Sequence, residues 1–117
     1  MKWIYSSRLT YAKGNFKYEN IYKYDQSKFH NIPGCMAETG FAYVPLNCQY
    51  EGADCPVHIL LHGCLQTYDH IGLDMMTLTH YADLAEANNF IIVSPQAVKS
   101  LTNIFNPRGC WDWWGYC

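Results

Sequence analysis

Two short apolar runs with an amphipathic stretch between them constrain this chain most. Residues 57–61 read VHILL and residues 90–94 read FIIVS. Each is short and continuously apolar, which predicts a strand buried on both faces. Between them, Leu73, Met76, Thr77, His80, Tyr81, Leu84 and Ala85 recur at helical spacing, which predicts a helix over 73–87. Gly63 ends the first run, Asn88 and Asn89 end the helix, and Pro95 stops the second run. Strand, glycine turn, helix and strand make a βαβ unit, which implies an α/β class, a parallel strand pair and a right-handed crossover.

The flanks are less explicit. Residues 1–34 are polar and tyrosine-rich, carry no firm element, and close on the turn signal NIPG (31–34). Residues 39–45, TGFAYVP, predict a further strand stopped by Pro45. The natural division is therefore a segment 1–34 and a folded portion 35–117. Residues 96–117 read as loop and finish in GCWDWWGYC.

With 117 residues the chain makes one small domain, and 50% hydrophobic against 15% charged residues excludes disorder. The net charge is −2 and the basic residues are scattered, so no stripe tracks a phosphate backbone and nucleic acid is not an expected partner. No run reaches the ~20 apolar residues of a membrane span. Six cysteines without CxxC pairs point to disulfides and an oxidising, extracellular setting. Residues 1–20 nevertheless lack the apolar core of a signal peptide.

His62 and Gly63 stand where the first βαβ strand ends, the end at which open α/β sheets bind ligands. A His-Gly turn there can aim a backbone N–H at a developing oxyanion, and small residues let the substrate oxygen approach. Cys64 or Leu65 would supply the N–H. A plain βα loop bent by its glycine is the equal alternative.

Five blocks sharpen the choice: YDQSKF (24–29), MAETGFAYVPLNC (36–48), CPVHILLHGCLQ (55–66), YADLAEANNFIIVSPQA (81–97) and NPRGCWDWWGY (106–116). In this order they resemble the poly(3-hydroxybutyrate) depolymerase-like family of esterases, over residue 21 to the end. The resemblance implies an α/β-hydrolase fold, a serine esterase acting on polyester or short hydroxyacid esters, no cofactor, and secretion. It makes the Cys64 N–H the oxyanion donor and gives His62 to the turn rather than to a catalytic triad.

Such a triad needs Ser, Asp and His, with the serine in a G-x-S-x-G elbow. Ser27, Ser94 and Ser100 lack the flanking glycines. The resemblance puts the elbow beyond WDWWGY. It thus implies an incomplete hydrolase fold, an N-terminal portion that lacks its catalytic residues, is inactive alone, and has the missing C-terminal part of the domain as partner. A sheet cut this early would leave a parallel edge and an apolar face uncovered, which predicts aggregation or a molten state in isolation.

Cys48 and Cys55 flank a polar loop and suit a short staple. Cys64 and Cys110 lie in the two most specific blocks, and the resemblance suggests a bridge between them. Cys35 and Cys117 remain; they pair with each other, or one pairs with a cysteine outside these residues. The competing use of Cys64 is zinc, with His58, His62 and His70 as ligands; the absence of paired short cysteine spacings argues against it. His80 and His70 are otherwise ordinary helix residues. Trp111, Trp113 and Trp114 are candidates to hold an apolar polymer. Strand-like alternation would put one of these rings in a cleft and two in the core. A disulfide-stapled polymer-binding module without chemistry is the rival function.

Overall fold

The computed structural model describes residues 5, 9–13, 15–30, 35–102 and 105–117. The turn expected at 31–34 lies outside them.

Four strands form one mixed sheet: β1 (Ile21–Asp25), β2 (Thr39–Tyr43), β3 (Val57–Ile59) and β4 (Ile91–Ser94), in the order β1-β2-β4-β3. β1 comes from the stretch whose sequence carries no firm element, and pairs antiparallel with β2 from Ile21↔Tyr43 to Asp25↔Thr39. β2 is antiparallel to β4, whereas β3 and β4 are parallel, with His58 opposite Ile92. The expected parallel pair is present, extended by an antiparallel ribbon.

The expected helix over 73–87 is broken. A short helix α1 (Tyr68–Ile71) precedes this region, and two more occupy it: α2 (Asp74–Thr77) and α3 (Tyr81–Asn88). His80 interrupts the run in the left-handed region at φ 63°. Just before it, the Thr77 and Thr79 hydroxyls donate to the carbonyls of Leu73 and Met75, a pattern that bends helices.

The helices cover one face of the sheet. Phe41, Tyr43 and Ile92 from the strands meet Leu60, Met76, Ala82, Ala85 and Phe90 in one core. Polar groups join this core through specific partners. The Tyr43 hydroxyl donates to the Glu86 carboxylate and accepts the Lys17 N–H at 3.2 Å. Burial, and then the bond to Glu86, push the Tyr43 hydroxyl up to about 12. Buried Asp83 accepts the N–H groups of Asn15 and Phe16 and pairs with His80, which straps the N-terminal segment across α3.

The other face is bare. Period-two alternation puts Val57 and Ile59 on the side opposite His58. Val57, Ile59 and Leu61 are 58%, 63% and 56% exposed. This corrects the expectation of a first strand buried on both faces. β3 is an edge strand with one covered face, and its apolar run reflects a second face that nothing among the described residues covers.

Candidate active site: the turn after strand β3

The turn is assembled around a buried histidine. His62 Nε2 accepts the Ala97 N–H at 3.1 Å, so the ring proton sits on Nδ1 and is donated to the Gly63 carbonyl at 2.8 Å. Burial holds the His62 imidazole below its ordinary pKa. Both nitrogens are thus committed to backbone, and His62 is a neutral pin rather than a proton shuttle.

Gly63 donates its N–H to the Gln66 side-chain oxygen at 2.7 Å. A Cβ at Gly63 would lie 2.9 Å from that oxygen and would have to push the Gln66 side chain aside. Leu65 adopts φ 60° and donates its N–H to the Arg108 carbonyl at 2.7 Å. That bond removes Leu65 from the two expected oxyanion donors. The Cys64 N–H remains, and no acceptor among the described residues takes it.

The second wall is the tryptophan loop. A Cys64–Cys110 disulfide brings the two Cα atoms to 4.3 Å. The Trp111 indole N–H donates to the His62 carbonyl at 2.8 Å, and its ring lies 5.0 Å from the imidazole. Fully buried Asn106 fixes this loop: its side chain accepts the Cys110 N–H and donates to the Cys110 carbonyl, both at 2.9 Å. Gly109 at φ 57° approaches Thr67 so closely that a Cβ would sit 2.5 Å from Thr67 Cγ2.

The other bridges join Cys48 to Cys55 and Cys35 to Cys117. With Cys64 oxidised and His62 tied to backbone, two of the four zinc candidates are committed elsewhere. His58 meets the Tyr5 hydroxyl at 3.0 Å and His70 the Thr67 hydroxyl at 2.6 Å. No cluster of three metal-binding side chains occurs among the described residues.

The tryptophans correct the sequence-based split. The segment is a series of bends, not a strand, so side chains do not alternate across it. Trp111 packs on the turn, whereas Trp113 and Trp114 are 79% and 42% exposed and touch edge to face. Gln66 and Asn106 carry structural roles that sequence reasoning misses. A polar residue three positions after a turn glycine, or before Pro-Arg-Gly, is the signal each offers.

No family model matches the chain. Among curated proteins, it is 37% identical over 124 residues to a polyhydroxybutyrate depolymerase of Talaromyces funiculosus, covering 99% of this chain and 36% of that protein. It is 41% identical over 98 residues to a poly(3-hydroxybutyrate) depolymerase of Delftia acidovorans, covering 83% and 19% respectively. Among solved structures, the PHB depolymerase from Penicillium funiculosum superposes with a TM-score of 0.82 at 37% identity, over 96% of this chain and 37% of that one. A serine-to-alanine variant of a PHB depolymerase, complexed with an R3HB trimer, gives 0.83 at the same identity and coverage. The chain is thus homologous to PHB depolymerases and carries part of their α/β-hydrolase fold. It spans about a third of the first curated relative and about a fifth of the second.

Proposed function

We propose that these residues form the oxyanion-stabilising portion of a serine-type esterase acting on poly(3-hydroxybutyrate) or related short hydroxyacid esters. The Cys64 N–H just beyond a parallel strand, which no acceptor among the described residues takes, carries this reading. Donors fixed before the reaction stabilise the tetrahedral intermediate without reorganising, and the disulfide together with the Trp111 and Leu65 bonds supplies that fixity. Ser, Asp and His come from polypeptide outside these 117 residues, and its strands and helices cover the β3 edge and the bare face. The chain alone is inactive. Three disulfides fit an oxidising, secreted setting.

The test is a chimera in which these residues replace the matched third of the Talaromyces depolymerase. Cys64→Pro deletes the N–H and the disulfide, whereas Cys64→Ala deletes the disulfide alone. Hydrolysis of an R3HB trimer should fall about 10²–10³-fold further in the proline variant. Equal rates would refute the assignment.

A polymer-binding role without chemistry is supported by the exposure of Trp113. Adsorption to polyester films that is lost in Trp113→Ala, with no hydrolysis by the completed chimera, would favour it.

A further inference from the structure

A peptide bond carries its acceptor and its donor on one rigid plane, so whatever holds the carbonyl also aims the N–H. In the turn after β3 the plane of interest joins Gly63 to Cys64. Its oxygen is the Gly63 carbonyl and its hydrogen belongs to the Cys64 N–H. That oxygen accepts two bonds, from His62 Nδ1 at 2.8 Å and from the Gln66 N–H at 3.2 Å. The neighbouring planes are held as well. The His62 carbonyl takes the Trp111 indole N–H, the Gly63 N–H goes to Gln66 Oε1, and the Leu65 N–H goes to the Arg108 carbonyl. The N–H groups of Gly63, Leu65 and Gln66 are therefore all spent, while the Cys64 N–H between them meets no acceptor among the described residues.

The bonds through His62 also run in one direction. The Ala97 N–H donates to Nε2 at 3.1 Å, and Nδ1–H donates to the Gly63 carbonyl. The Cys64 N–H, on that same peptide, stands last in the chain. Each donor in such a chain polarises the next, by ~10–30% per bond. Density drawn toward the Gly63 oxygen leaves the Cys64 hydrogen more positive, and so a better donor to an anion. Only the Nδ1–H tautomer can do this, and the Ala97 N–H selects it.

We propose that His62 is a positioning residue for the oxyanion donor: its imidazole orients and polarises the Gly63–Cys64 peptide whose N–H receives the developing charge. The inference rests on the esterase reading above and gives that site a working side chain outside the triad. The end of β4 is thereby tied to the donor through a single ring.

Two replacements separate the two bonds of that ring. An asparagine amide lies near the Nδ1 position and has nothing at Nε2, whereas a glutamine amide reaches Nε2 and leaves Nδ1 vacant. In the chimera, His62→Gln should lower kcat on the R3HB trimer about tenfold with KM unchanged, within the ~10²-fold that a misplaced group can cost. His62→Asn should keep most of the rate. A purely structural histidine would rank the two variants by melting temperature instead. Equal kcat values, or the reverse order, overturn the proposal.

NMR of the 117-residue protein reads the same link without substrate. Ring nitrogen shifts should show His62 as the Nδ1–H tautomer. The Gly63 carbonyl carbon should move upfield in His62→Gln and hold its place in His62→Asn. An Nε2–H tautomer, or a Gly63 carbon that moves in neither variant, overturns the proposal. The tautomer is read on the unaltered protein, so a variant that fails to fold leaves the test standing. A chimera with His62 intact that hydrolyses nothing counts against the esterase reading, and the NMR result then decides whether His62 holds and polarises the peptide.

Discussion

His62 and Ala97 are joined by a hydrogen bond of 3.1 Å in which the imidazole Nε2 is the acceptor. A protonated ring cannot accept that bond, so the link between the turn and the end of β4 exists only while His62 is neutral. Burial lowers the pKa of His62 in the folded state, and that of His58 likewise. An unfolded histidine titrates near 6.5, so between that pH and the lower folded values the unfolded chain binds more protons. Stability should be full above about pH 6.5 and decline as pH falls below it. Thermal melts from about pH 8 to pH 5 check this, and a His62→Gln variant should lose the His62 share of the slope. An unchanged slope in that variant would contradict the assignment.

Tyr43 gives the opposite limb. Its hydroxyl is pushed up to about 12 when folded, against 10.0 for a free tyrosine. The folding advantage is complete below about pH 10 and is lost as pH rises from there through 12. Tyr43→Phe should abolish this alkaline loss, and by leaving Glu86 and the Lys17 N–H short of a partner it should lower neutral-pH stability by about 1–3 kcal/mol. Denaturant melts at about pH 7 and pH 11 measure both effects.

Gly109 and Gly72 separate strain from clash. Both have positive φ, 57° and 59°, but a Cβ at Gly72 meets nothing within 4 Å whereas one at Gly109 strikes Thr67. Both alanine variants should be destabilised, by roughly 1 kcal/mol or more from backbone strain alone. Gly109→Ala should be clearly the worse. Matching midpoints for the two would show that the Thr67 contact yields freely.

Ile59 tests the bare face. Ile59 is 63% exposed, so a lysine there should change the melting free energy by no more than about 0.5 kcal/mol, while aggregation measured by light scattering should fall. A large loss of stability would mean that this face is covered in the isolated chain.

The legible parts of the sequence are those where periodicity and breakers coincide. VHILL, FIIVS and TGFAYVP each contain a strand, at Val57–Ile59, Ile91–Ser94 and Thr39–Tyr43, because each is rich in apolar residues and has a Gly or Pro close behind it. The helix fails at His80, where threonine hydroxyls compete for backbone carbonyls, a local effect that hydrophobic spacing does not register. β1 is invisible in sequence because IYKYD has mixed polarity and none of its residues is fully buried; its pairing with β2 is tertiary. Within the site, His62, Gly63 and Cys64 are readable from the turn, and the Cys48–Cys55 and Cys64–Cys110 bridges match their expected pairings. That Leu65 spends its N–H on Arg108 is not readable, because it depends on two segments 43 positions apart meeting across a disulfide.

The Cys35–Cys117 bridge spans 82 positions and closes β2, β3, β4 and all three helices into a covalent ring. A protease that nicks any single loop within this ring leaves its two pieces tied together, so the turn after β3 can survive the cut. β1 lies outside the ring and is retained through its pairing with β2 and the Asp83 strap on the segment before it. Cleavage between residues 26 and 34 would therefore leave the first strand held by non-covalent contacts alone, and its departure would make β2 an edge strand of the sheet.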